Sequence, residues 1–94
     1  MEIEREDGET KVRYVARSTD GAEAELTFSR AGESLLIIDH TEVPDAMAGR
    51  GVGLQLVERA VADARSSGVR IIPLCPYAAA QFRRHPEWSD VLEG

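Results

Sequence analysis

Three parts of this 94-residue chain carry residue types and spacings that chemistry uses. Gly49-Arg50-Gly51-Val52-Gly53 packs three glycines into five positions directly before a stretch of helical periodicity. Glycine lets a backbone approach a ligand closely, and the free N–H groups and positive dipole end of a helix N-terminus attract phosphate. The loop therefore reads as an anion cradle, with simple turn glycines as the alternative. His40 and Glu42 are titratable groups at the polar end of an otherwise apolar segment, a place where a site can sit. Cys75 is the sole cysteine and stands directly before Pro76.

The elements that must position these residues follow from periodicity. Lys11–Arg17 and Ala22–Arg30 alternate apolar and polar residues with period 2, and Thr19-Asp20-Gly21 and Arg30-Ala31-Gly32-Glu33 supply the turns of an antiparallel meander. Leu35-Leu36-Ile37-Ile38 is a continuous apolar run, expected of a central strand covered on both faces. Strand alternation through Ser34–Val43 places His40 and Glu42 on the face of Leu36 and Ile38, with Asp39 and Thr41 opposite.

From Gly51 to Ser67 the period becomes 3.6. Leu54, Val57, Ala60, Val61 and Ala64 form the apolar stripe of a helix that Gly68 closes. Val69–Leu74 is a short strand, so strand, helix and strand make a right-handed parallel crossover. Pro73 cannot donate to a ladder, which predicts a lapse in pairing there. Pro76–Arg84 is a short helix ended by His85-Pro86, with Trp88, Val91 and Leu92 packing the tail. The fold class is α+β in a single domain spanning 1–94, in which residues 1–10 are a frayed or edge segment.

Composition removes several function classes. The net charge is −6, from 11 basic and 17 acidic residues, which disfavours nucleic-acid binding and favours cationic partners. One cysteine and two histidines make neither an intrachain disulfide nor a structural zinc set, so no metal is expected. The N-terminal sequence lacks signal-peptide character, no apolar run is long enough to span a membrane, and the expected location is cytoplasmic. A P-loop is excluded by the absence of G-x-x-x-x-G-K-[ST], and the glycine pattern is a poor dinucleotide fingerprint.

Read together, His40-Thr41-Glu42-Val43-Pro44-Asp45-Ala46-Met47-Ala48-Gly49-Arg50-Gly51-Val52-Gly53, Ile72-Pro73-Leu74-Cys75-Pro76-Tyr77 and Arg83-Arg84-His85-Pro86-Glu87-Trp88 resemble the minimal YjdJ-type GNAT N-acetyltransferases. The resemblance spans roughly residues 12 to 92. It implies acetyl-CoA lying between two splayed parallel strands with its pyrophosphate on the glycine loop. The cofactor-binding positions it implies are Val43, Gly49, Arg50, Gly51, Val52, Gly53 and Leu54. Pro76 and Tyr77 are cofactor-binding positions as well, and Arg83 and Arg84 are offered to the 3′-phosphate of CoA, the alternative being plain complements to the helix dipole. The chain departs from the family pattern in two places. Ala48 stands where a Gln or Arg usually supports the pyrophosphate, and the tyrosine that many relatives use to protonate the leaving thiolate has no counterpart, because Phe82 falls near its place and Tyr77 comes too early.

The catalytic residues implied are Cys75, Glu42 and His40. An amine with a pKa near 10.4 must lose a proton before it attacks a thioester, and Glu42 or His40 is placed to take it. Cys75 has three readings: a nucleophile, an acid for the CoA thiolate, or a small residue packed under the site. The function expected is acetyl transfer from acetyl-CoA to an amine, either a protein lysine, an N-terminus or a small molecule. A non-catalytic CoA-binding module is the alternative, and the assembly expected is a monomer or small homo-oligomer.

Overall fold

The computed structural model describes residues 2–93. Four strands run as an antiparallel meander: β1 (Ile3–Asp7), β2 (Lys11–Arg17), β3 (Glu23–Ala31) and β4 (Leu35–Glu42). Helix α1 (Val52–Ser67) then crosses over to β5 (Arg70–Pro73), which pairs parallel with β4. Helix α2 (Pro76–Arg84) follows, and 3-10 turns occupy Asp45–Met47 and Pro86–Val91. The sheet order is β1-β2-β3-β4-β5, so this is an α+β fold in which Ile3–Asp7 is the edge strand.

One face of the sheet builds the core. Val12, Tyr14 and Ala16 of β2 stand opposite Phe28, Leu26 and Ala24 of β3, and all are buried beneath α1. The helix buries Leu56, Val57, Ala60, Val61 and Ala64. Leu54, expected in that stripe, is only half-buried, and Leu56 takes its place. At its end Gly68 adopts φ 71°, the left-handed cap that glycine reaches without steric cost, and its N–H donates to the Ala64 carbonyl.

The Leu35–Ile38 run departs from expectation. Of its four residues only Ile38 is fully buried, and Leu35, Leu36 and Ile37 are half-exposed, so β4 is internal to the sheet without being covered on both faces. The helices do not blanket the opposite side, which carries ion pairs instead. Arg13 bonds Glu6 and Glu25 at 3.0 and 2.7 Å, and Arg17 bonds Glu4 and Glu23 at 2.6 and 2.8 Å. Exposed pairs of this kind contribute about 0–1 kcal/mol each, so they keep the face wet more than they hold the fold together.

A more consequential polar contact ties α1 to the sheet. The buried Tyr14 hydroxyl donates to Asp63, whose carboxylate also receives Arg5 at 3.2 Å and Arg59 at 3.3 Å. Burial, reinforced by the hydrogen bond and charge of Asp63, pushes the Tyr14 phenol far above its ordinary pKa. For Asp63 burial acts upward, but the Tyr14 hydroxyl and the two guanidiniums outweigh it and hold the carboxyl below its ordinary value. A depressed carboxylate stabilises the fold fully above its unfolded pKa, and that contribution is lost as pH falls through the lower folded value. Asp63→Asn is therefore expected to cost about 2 kcal/mol at pH 7 by urea unfolding. The gap to wild type should narrow as pH falls below about 4, and a gap unchanged down to pH 2 would contradict the assignment.

Candidate active site

The ladder between β4 and β5 covers only Leu35 to Ile38 against Arg70 to Pro73. The pairing ends there, as the sequence predicts, but the missing proline donor is not the cause. Arg70 donates to Ser34 and Ile71 accepts from Glu93, so the Pro73 nitrogen faces away from β4, and the ladder lapses where the Leu74 N–H turns back to the Ile72 carbonyl. The Cys75 amide reaches back to the Ile38 carbonyl at 3.1 Å and closes the last link. Beyond it Asp39 to Glu42 continue as β4 with no β5 residue beside them. The two strands therefore part at the end of the sheet where β4 leads through the 3-10 turn into α1.

Asp39 is an extra residue. Phe28 stands opposite Ile38, but Thr27 stands opposite His40, and the shift is a β-bulge. Residues facing each other across an antiparallel pair point to the same side, so Thr41, opposite the buried Leu26, lies on the core face with Ile38. His40 and Glu42 lie on the outer face with Thr27 and Glu25. This corrects the strict alternation that put His40 and Glu42 on the face of Leu36 and Ile38. One inserted residue reverses the parity of everything after it. His40 Nε2 and Glu42 Oε2 are 3.3 Å apart, and with Glu25 they form a cluster whose ligand atoms all lie within 4.8 Å of one another. Arg13 already occupies Glu25 at 2.7 Å.

On the core face the partner of Thr41 is Cys75, whose Sγ lies 3.6 Å from the Thr41 hydroxyl. Cys75 is the N-cap of α2 and is 7% exposed. Burial alone raises its pKa, but the backbone N–H groups of Ala78 and Tyr77 and the Thr41 hydroxyl favour the thiolate more strongly, and the net shift is downward. Thr41 is a site residue that the alternation pattern hides, because the bulge that turns it inward has no mark in the sequence beyond the polar Asp39.

The glycine loop lies at the N-terminus of α1. Gly49 and Gly51 have φ 79° and 71°, left-handed values that side chains rarely adopt, and a Cβ on either would meet no atom within 4 Å, so both backbones face open space. Beside them is a pocket of about 220 Å³ lined by Val43, Met47, Ala48, Val52, the three loop glycines and Tyr77. The room beside the loop and the first-turn N–H groups of α1, which have no partner within the helix, suit a phosphate-bearing ligand. Gly53 differs from the other two: a Cβ there would lie 2.6 Å from the Tyr77 hydroxyl. Met47, fully buried in the preceding turn, pins the loop to the core.

Other expected site residues are placed as follows. Arg50 is exposed on the loop, Leu54 is half-buried one turn into α1, and Pro76 is exposed at the first position of α2. Arg83 and Arg84 are exposed in the last turn of α2. Phe82 and Trp88 are core, packed edge to face at 5.3 Å, and His85 stacks on Trp88 while donating to the Gln81 carbonyl at 2.7 Å. A larger pocket of about 340 Å³ lies at the far end of the sheet, between Arg5, Arg30, Leu35 and Val69, and includes none of these residues. Among the described residues no helix is long and apolar enough to cross a membrane.

The geometry of Cys75 carries a direct test. Its alkylation rate by iodoacetamide should rise with a midpoint below the usual thiol value of about 8.5, and Thr41→Val should move that midpoint upward. An unchanged midpoint in Thr41→Val would remove the hydroxyl from the account.

Comparison with known proteins agrees with this architecture. A solved GCN5-like chain from Staphylococcus aureus, assigned as an N-acetyltransferase, is 31% identical, with a TM-score of 0.71 over 97% of this chain and 88% of that one. A chain from Klebsiella pneumoniae assigned as an acyl-CoA N-acyltransferase shares the fold at 18% identity, with a TM-score of 0.62 over 80% of this chain and 56% of that one. No curated protein matches. Residues 13–91, which hold the parted strands, the glycine loop and Cys75, match the family described as GCN5-related N-acetyl-transferase, and the chain belongs to that family of enzymes.

Proposed function

We propose that this enzyme takes an acetyl group from acetyl-CoA and passes it to a primary amine. The observation that carries the reading is the coincidence of three features at one end of the sheet: β4 and β5 part, the glycine loop at the N-terminus of α1 lines a pocket there, and a thiol with a lowered pKa sits just past the end of β5. Val43, Gly49, Gly51, Val52 and Gly53 are suited to the diphosphate, with Arg50 adding charge from the exposed side of the loop. Leu54, Pro76 and Tyr77 border the path toward the thiol, and the exposed Arg83 and Arg84 are free to meet the 3′-phosphate. Bound there, acetyl-CoA supplies an activated acyl carbon and a sulfur leaving group.

The chain's own residues divide the proton work between the two faces of β4. Glu42, with His40 as its neighbour, takes the proton from the incoming ammonium. The amine nitrogen then bonds to the acyl carbon as the carbon–sulfur bond breaks. Cys75 gives its proton to the departing sulfur, a downhill transfer because an ordinary alkyl thiolate is more basic than a thiolate stabilised by α2 amides and Thr41. The second proton, lost by the nitrogen as the amide forms, restores the Cys75 thiol, and Glu42 gives the first to solvent, so the cycle balances with one proton released per turnover. This assigns Cys75 the acid role that relatives give to tyrosine, in preference to an acetyl-enzyme. The acidic outer face around Glu25 and Glu42 suits a cationic acceptor, whether a lysine side chain or a small amine.

Thiol release from acetyl-CoA with lysine peptides and small amines tests the whole reading. Cys75→Ala is expected to lower kcat about 100-fold, and mass spectrometry of the wild-type enzyme after acetyl-CoA exposure should find no acetyl group on Cys75. Full activity in Cys75→Ala would end the acid role, and a kinetically competent acetyl-Cys75 would replace it with the nucleophile. Glu42→Gln should lose most activity at pH 7 and recover as pH rises toward that of the free amine. Acetyl-CoA binding with no turnover on any amine would favour a cofactor-binding module instead.

A further inference from the structure

We infer that the phenol of Tyr77 is the side-chain ligand of the cofactor diphosphate, and that Gly53 is glycine in order to seat it. The inference rests on the acyl-CoA reading above and deepens it. The pocket at the glycine loop is lined by apolar side chains and glycine backbone apart from Tyr77, which offers the one side-chain N–H or O–H group among its lining residues. Ala48 contributes only a methyl group and Arg50 is not part of the lining. Tyr77 is 39% exposed. The other tyrosine, Tyr14, spends its hydroxyl on Asp63, whereas the Tyr77 hydroxyl has no such partner among the described residues.

The placement of that hydroxyl depends on one missing atom. A Cβ on Gly53 would stand 2.6 Å from the Tyr77 oxygen and 2.8 Å from Cζ, closer than real contacts allow. Gly53 has no positive φ and opens no turn, so its conformation does not require glycine. Inside the first turn of α1 an alanine would by itself favour the helix. The ring resting on the Gly53 backbone is what excludes the side chain. Tyr77 thus bridges the N-terminal turns of α1 and α2 and presents a donor in the pocket lined by the loop glycines. It supplies from α2 what the loop itself lacks.

Because the clash falls on the far end of a flexible side chain, Gly53→Ala should fold and displace the Tyr77 ring, which makes a clean cycle. CoA is titrated calorimetrically into wild type, Tyr77→Phe, Gly53→Ala, Tyr77→Ala and the Gly53→Ala/Tyr77→Ala double variant. Tyr77→Phe is expected to weaken CoA about tenfold, the size of a hydrogen bond to a charged group, with its melting temperature unchanged. Gly53→Ala is expected to weaken CoA in wild type and to have no further effect in the Tyr77→Ala background. Pantetheine, which lacks the diphosphate, should bind wild type and Tyr77→Phe equally when followed by NMR. The inference is overturned if Tyr77→Phe binds CoA like wild type, if Gly53→Ala costs the same in both backgrounds, or if pantetheine and CoA lose affinity alike. Failure of wild type itself to bind CoA would remove the acyl-CoA reading and this inference together.

Discussion

In a parallel pair alternate residues donate to the neighbouring strand, and on β5 these are Arg70, Ile72 and Leu74, since Arg70 donates to Ser34 while Ile71 accepts from Glu93 on the other side. The ladder ends where the Leu74 N–H turns back to the Ile72 carbonyl, after which only the Cys75 amide still reaches Ile38. Four residues of β4 are left running on alone, with unclaimed edge positions facing an opening rather than a strand. The thiol, the glycine loop and the first turns of both helices are arranged around that opening. The Leu74 donor turned away from β4 also sets where the site can be.

Stability and chemistry are placed at different ends of the same helix. The second half of α1 is anchored by Asp63, which gathers Tyr14, Arg5 and Arg59, and by the alanine and valine stripe that packs on β2 and β3. Its first turn carries the exposed glycines and the Tyr77 contact. An anchored far end leaves the near end free to take the ligand proposed for it without loosening the fold. The buried Met47 does the same for the approach to the loop, holding a segment with little regular structure against the core.

The bulge at Asp39 gives β4 two chemically distinct sides where regular alternation would have given another arrangement. Thr41 turns inward to the thiol at the base of α2, and His40 and Glu42 turn outward to join Glu25 on a face covered by charge rather than by helices. In the proposed mechanism, proton donation and proton acceptance thereby fall on opposite faces of one strand, with the amine on the wet side and the leaving group on the dry one.

Much of this was legible in the residues themselves. Strand period, the change to helical period after Gly51, the left-handed cap at Gly68 and the helix opening at Pro76 are local consequences of side-chain shape and backbone freedom, so they could be read without contacts. The glycine loop belongs with them, because it depends on an atom that is absent from the residue, and the place of the break at Pro73 was legible although its cause, the Leu74 N–H turning back to Ile72, was not. The faces of His40, Thr41 and Glu42 were not legible. A bulge is a register event between two strands, and β4 alone does not record which of its residues β3 skips. Nor could spacing show that Leu56 would displace Leu54 from the core, that Leu35 to Ile37 would stay half-exposed, or that Tyr77 would lie on Gly53. Those outcomes depend on how α1 and α2 pack against the sheet. Sequence alone determined which residues could make each element, because those limits are covalent. Tertiary structure decided which side chains meet across the opening, because that depends on distances between segments far apart in the chain.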